Sequence, residues 1–177
     1  SCFSFSDGLN LKEAQKQYAD KGITINYEYV APPAPDAIDQ VNRLEEAAGR
    51  DFDVIGVDVN DIEIVTPTIN NLIDKGHKIM TFSSSDATKE DGCKRIAYVG
   101  NTHNYQDGAD LAEILAEKIE YKGQVAALAG TIGAPCHEDR IAGFKDVMKK
   151  YPDIEVVEIQ NDNDSVENSL TFTEGFL

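Results

Sequence analysis

Short apolar runs alternate along the chain with stretches whose apolar residues recur every three or four positions. The runs 22–30 (GITINYEYV), 52–57 (FDVIGV), 78–83 (KIMTFS), 94–100 (KRIAYVG), 123–130 (GQVAALAG) and 154–159 (IEVVEI) are rich in β-branched and aromatic residues and read as strands. The stretches between them read as helices. One spans 11–21. A second follows the rigid APPAPD turn, is capped by Asp36 and carries Ala37, Ile38, Val41, Leu44 and Ala48 on one side. A third is expected to start at Thr66–Pro67, where proline in the first turn lacks only an amide with no helical partner, and to stop at Lys75–Gly76–His77. Residues 107–120 place Ala109, Leu111, Ala112, Leu115 and Ile119 inward, and residues 137–150 do the same with Ile141, Phe144, Val147 and Met148. A last helix is expected over 165–177.

Strand–helix–strand alternation with near-continuous apolar strands implies α/β architecture with parallel sheets covered on both faces. Ligands in such sheets sit beyond the carboxyl ends of the strands. The loops to read for function are therefore 58–63, 83–93, 100–107, 130–139 and 160–165. At the start, SCFSFS reads as a marginal first strand or the tail of a loop. At the end, Leu177 stops in mid-helix without a C-cap, so the chain is expected to be part of a longer protein.

Composition narrows the function. Lys and Arg number 16 against 32 Asp and Glu, a formal net charge of -16 that repels phosphate backbones and argues against direct nucleic-acid binding. No apolar run approaches the roughly 18 residues that suggest a membrane span. Cys2, Cys93 and Cys136 are too few and too scattered for a disulfide framework, and no CxxC pair suggests zinc. Cys2 could carry a lipid, or be a small buried thiol.

The densest chemistry lies in GAPCHEDRIAGF, 133–144. A metal would need three or four converging ligands, and adjacent Cys136 and His137 point apart on a turn. A Cys136–His137 nucleophile pair fails for the same reason. With the helix beginning near Cys136, Glu138 and Asp139 suit its dipole, whereas Arg140 in a first turn opposes it and needs another role. One role is a fork of donors aimed at a ligand; another is an ion pair with a carboxylate such as Asp164. In FSSSDATKEDG (82–92) three serines after a strand offer short donors and acceptors, or form a solvated turn. GTIGAP lacks the spacing of a phosphate loop, and Ser83–Ser85 lack a GxSxG elbow.

The ordered set APPAPDAIDQVNRLEEA, FDVIGVDVNDIEIVTPTINNLIDKGHKIMTFSSSDA, RIAYVGNTHNYQDGADLAEILAEKI, KGQVAALAGTIGAPCHEDRIAGFKDVMKKYPDIEVVE and QNDNDSVENSL resembles the type I periplasmic sugar-binding proteins, the ribose- and galactose-binding receptors of ABC transporters. The resemblance runs from about residue 22 to the end. YVGNTHNYQDGADLA and HEDRIAGFKDVMKKYP are its most diagnostic phrases. It implies two Rossmann-like parallel-sheet lobes, the second incomplete. Residues 1–101 would form the first lobe, 102–104 a hinge crossing with Asn101 and Asn104 as hinge residues, and 105–177 part of the second. It also implies that Arg140 bonds sugar oxygens, with Glu138 a possible second contact. Ser83 stands where a sugar-binding Asp is common, and Ser84 beside it where a polar residue or Arg is common. Asp164 stands where many members carry a stacking aromatic. Phe3 or Phe5 would supply the aromatic wall.

The function so implied is a non-enzymatic receptor, without cofactor or metal, that closes on a monosaccharide or polyol and presents it to a membrane permease. It is expected to be monomeric and periplasmic or extracellular, with a lipid anchor conceivable. The alternatives are the effector domain of a sugar-responsive repressor, which would need a basic headpiece, and the sensor domain of a membrane kinase or chemoreceptor. A carboxylate hydrolase in the same cleft is more distant.

Overall fold

The computed structural model describes residues 9–31 and 35–176. Its elements run α1 (Leu9–Ala19), α2 (Ala37–Ala48), β1 (Ile55–Val57), α3 (Ile62–Asp74), β2 (Ile79–Ser83), β3 (Tyr98–Gly100), α4 (Asn104–Lys118), β4 (Gly123–Ala129), α5 (Pro135–Met148), β5 (Ile154–Asn161) and α6 (Val166–Phe176). The strands β1, β2 and β3 form one parallel sheet in that order, and β4 pairs with β5 in a second parallel sheet. Each sheet has its own apolar cluster. Val57, Val59, Val65, Ile69, Leu72 and Ile79 fill the first. Ala112, Ala116, Val125, Phe144, Val147 and Met148 fill the second. The alternation thus gives α/β architecture with parallel sheets.

Several elements depart from the sequence expectation for physical reasons. Residues 23–30 form no strand. Their composition favours extended backbone, but a strand needs a partner ladder, and no described strand bonds to this one. The segment is tied instead by Arg50, whose guanidinium grips the Glu28 carboxylate at 2.6 and 2.5 Å, and by Gln15 Nε2, which donates to the Ile25 carbonyl at 2.7 Å.

The third helix starts at Ile62, not at Thr66, because Asp61 caps it by accepting from the Ile64 N–H at 2.9 Å. Pro67 sits inside it, forgoing a bond to the Glu63 carbonyl, while Val65, Ile69 and Leu72 bury against the sheet. The expected cap at Asp36 is present, with Oδ1 accepting from Ile38 and Asp39 N–H.

Leu111 was expected inside, yet it is 62% exposed. The face of α4 turned to α5 is built of Gly108, Ala109, Ala112 and Ala116, so the helices approach closely and the large residues point away. A Cβ on Gly108 would lie 1.9 Å from the Arg140 carbonyl oxygen, and one on Gly143 would lie 2.0 Å from that of Tyr105.

Candidate functional site

The carboxyl ends of β1, β2 and β3, and of β4 and β5, open into the loops singled out above. In the first half, Gln40 on α2 fixes the loop after β1. Its Nε2 donates to the Asp58 carbonyl at 2.6 Å and its Oε1 accepts from the Asn60 N–H at 3.0 Å. The serine loop after β2 is buried: Ser84 is 2% exposed, with Ser83 and Ser85 close behind. Ser83 adopts φ 77°, a left-handed conformation that costs a non-glycine residue about 1–2 kcal/mol and marks a corner held by its surroundings. Among the described residues the hydroxyls of Ser83 and Ser84 are buried without a hydrogen-bond partner, a state that costs about 1–3 kcal/mol each.

The corner is held from beneath by a pair that sequence reasoning missed. Arg95 Nε and Nη2 donate to the two Asp86 carboxylate oxygens at 2.6 and 2.5 Å, and Arg95 Nε also reaches the Ala87 carbonyl at 3.1 Å. The Thr81 hydroxyl donates to Asp86 as well. Both side chains of the pair are nearly buried, at 14% and 12% exposure. No signal in the sequence marked the pair: Arg95 fell within the expected strand 94–100, which in fact begins at Tyr98.

The crossing from β3 to α4 is a compact hydrogen-bonded knot. Asn101 Oδ1 accepts from the His103 N–H at 2.8 Å and its Nδ2 donates to Asp107 at 2.7 Å. Asn104 is buried, and its Nδ2 donates to the Ser84 carbonyl at 2.7 Å. The Tyr98 hydroxyl donates to the Asn101 carbonyl at 2.7 Å and lies 3.0 Å from that of Ser83. Asn101 and Asn104 thus couple the crossing to the serine corner.

In the second half, Asp164 sits beyond β5 in a left-handed conformation, φ 56°. It accepts from the Thr131 hydroxyl at 2.9 Å, and its Oδ1 lies 3.8 Å from His137 Nε2. A Cβ on Gly130 would lie 2.4 Å from His137 Nε2, so that glycine makes room for the imidazole. His137 read as uninformative in the sequence; the fold brings it onto the end of β4 beside Asp164. Glu138 is exposed and accepts from the Gly133 N–H at 3.1 Å, bracing the loop before α5. Cys136 is 1% exposed, a core thiol. Arg140 lies in the second turn of α5, because the helix begins at Pro135. The helix-dipole reason for giving it a special role therefore loses most of its force, since the effect fades beyond the first turn. Arg140 is half-buried, with its backbone against Gly108. Phe3 and Phe5 lie outside the described residues.

The two halves meet at this mouth. A Cβ on Gly133 would lie 2.7 Å from Asp61 Oδ2. Asp139, at the start of α5, is pushed above the usual aspartate range by partial burial, then by the Asp91 carboxylate of the first half and by Glu138. The folded chain therefore favours its protonated form. The stability this form gives is present below the ordinary aspartate pKa of about 4 and is lost as pH rises through the higher folded value. Asp139→Asn is expected to raise the thermal midpoint at pH 7 and to leave it unchanged at about pH 3. Melting curves at both values check this.

Among the described residues no three His, Cys, Asp or Glu side chains group to hold a metal, and no helix is long and apolar enough to cross a membrane. The serine corner offers hydroxyls, and the end of β4 brings the His137 imidazole beside the Asp164 carboxylate.

Residues 6–177 match the model of the periplasmic binding protein domain. The chain belongs to the periplasmic binding protein family. An ABC transporter solute-binding protein from Burkholderia graminis C4D1M, solved with D-arabinose, is 32% identical with a TM-score of 0.80; the match covers 94% of this chain and 55% of that one. A periplasmic solute-binding protein of an ABC transporter from Actinobacillus succinogenes 130z, solved with D-allose, is 27% identical with a TM-score of 0.74, covering 98% and 62%. The fructose-binding periplasmic domain of a hybrid two-component system shares the fold at 18% identity and a TM-score of 0.81, covering 98% and 55%. The chain thus spans little more than half the length of these structures. The α/β fold with parallel sheets that the sequence resemblance implies is the fold of this family.

Proposed function

We propose that this chain is the sugar-recognising part of a solute-binding receptor that closes on a monosaccharide or polyol and delivers it to the permease of an ABC transporter. The observation that carries the reading is the serine corner: two buried hydroxyls without partners among the described residues, at the carboxyl end of β2. A polyhydroxyl ligand supplies both donors and acceptors to such groups, whereas a charged ligand would leave a neutral corner with its charge unmatched. In this reading residues 1–101 form the first lobe, 102–104 a hinge crossing and 105–177 part of the second lobe. Asn101 and Asn104 are the hinge residues, and their bonds transmit movement of α4 to the serine corner. Ser83, Ser84, Glu138, Arg140 and Asp164 face the ligand, with Phe3 or Phe5 as an aromatic wall. Closure is a population shift that the ligand drives by binding the closed state better. The location is periplasmic or extracellular, the working unit is a monomer, and Cys2 is where a lipid would be attached.

The test is a thermal-shift and calorimetry screen of monosaccharides on the full-length gene product, with D-arabinose and D-allose among them. Saturable binding of at least one sugar is expected; none across the screen overturns the reading. Arg140→Ala is expected to weaken that binding by roughly 1.5–3 kcal/mol, the scale of a charged hydrogen bond lost, and calorimetry with unchanged affinity removes Arg140 from the site. The sensor role of the fructose-binding domain's parent is a second use of the same fold, distinguished by whether the gene product continues into a membrane segment and a kinase.

A further inference from the structure

Asp61 and Gly133 lie 72 positions apart, in loops that follow strands of different sheets, yet they approach closely. Asp61 uses its two carboxylate oxygens differently. Oδ1 caps α3 through the Ile64 N–H at 2.9 Å. Oδ2 is turned to the loop between β4 and α5, 2.7 Å from where a Cβ on Gly133 would stand. Gly133 has φ +79°, and its N–H is anchored on Glu138. A side chain at Gly133 would therefore meet two separate obstacles, a left-handed backbone and a carboxylate from the opposite half.

We propose that Asp61 and Gly133 form the stop at which the two halves of the cleft come to rest, so that the absence of a side chain at Gly133 sets how far the cleft closes. The pair deepens the closure reading above and rests on it for its effect on affinity; the contact itself is independent of any sugar. Because Asp61 Oδ1 serves α3 and Oδ2 the contact, the two jobs can be separated. Asp61→Ser keeps a capping hydroxyl and removes the atom that faces Gly133.

The experiment has two arms. In the first, affinity for D-arabinose and D-allose is measured by calorimetry on the full-length gene product. Gly133→Ala is expected to weaken the binding of whichever sugar is held by about tenfold, and to weaken it less than about twofold when introduced into the Asp61→Ser background. Backbone strain at Gly133 acts in both backgrounds and is read separately as a lowered thermal midpoint. Equal losses of affinity in the two backgrounds would overturn the proposal, because they would assign the effect to strain alone. The second arm needs no ligand. The Asp61 Cγ, which a cysteine sulfur would replace, stands 3.5 Å from the Cβ position of Gly133, within reach of a disulfide. Asp61→Cys combined with Gly133→Cys is expected to lose two free thiols on mild oxidation, and Glu63→Cys combined with Gly133→Cys is not. If the first pair stays reduced while folded, the halves do not meet there and the proposal falls. A disulfide in this pair, with no sugar bound by the unmodified full-length protein, would keep the contact and remove the receptor reading instead.

Discussion

Arg95→Ala is expected to destabilise the protein by about 3 kcal/mol, the lower end of what is lost when one partner of a buried ion pair is removed. Asp86 would be left nearly buried without its cationic partner, with the Thr81 hydroxyl as the remaining side-chain donor among the described residues. The loss would reach the serine corner, since Arg95 also holds the Ala87 carbonyl and stacks its guanidinium 5.4 Å from the Tyr98 ring. Tyr98 in turn bridges the Ser83 and Asn101 carbonyls. Urea unfolding is the measurement, with the midpoint falling and the slope unchanged. The double variant Arg95→Leu, Asp86→Ala should cost less than the sum of its singles, because it leaves no charge unpaired. If the cost is additive, the pair is not coupled and its part in shaping the corner is disproved.

Gly143→Ala is expected to cost about 3 kcal/mol, at the upper end of ordinary overpacking. The obstacle is backbone rather than side chain: the Tyr105 carbonyl oxygen 2.0 Å away and the Ala109 nitrogen 2.9 Å away. No rotamer change relieves such a contact, so α4 and α5 must move apart and the packing of Ala112, Phe144 and Val147 loosens. Arg140 and His137 ride on α5, so ligand affinity should fall together with stability. Thermal unfolding and calorimetry on one preparation check both. A variant as stable as the parent would mean that the helices are not held at this spacing.

The strand–helix alternation from α2 onward and the cap at Asp36 were legible in the sequence because they rest on local chemistry. Strand composition, helical period and an N-cap each act over a few residues. The same locality explains the misses. Pro67 resembles a helix start only when Asp61 is ignored, and the segment 23–30 favours extended backbone without containing the partner a strand requires. Leu111 falls on the apolar stripe of α4 by periodicity, but the glycine and alanine face of that helix brings α5 too close for it.

By itself, then, the sequence determined the fold class and the order of elements from α2 onward. The tertiary structure decided which side chains gather at the loops beyond the strands. The Arg95–Asp86 clamp, the approach of His137 to Asp164 and the meeting of Asp61 with Gly133 join residues that no periodicity relates. Each depends on how far one element is carried past another, and that distance is fixed by packing across the two cores, where a single Cβ at Gly108 or Gly143 would change it.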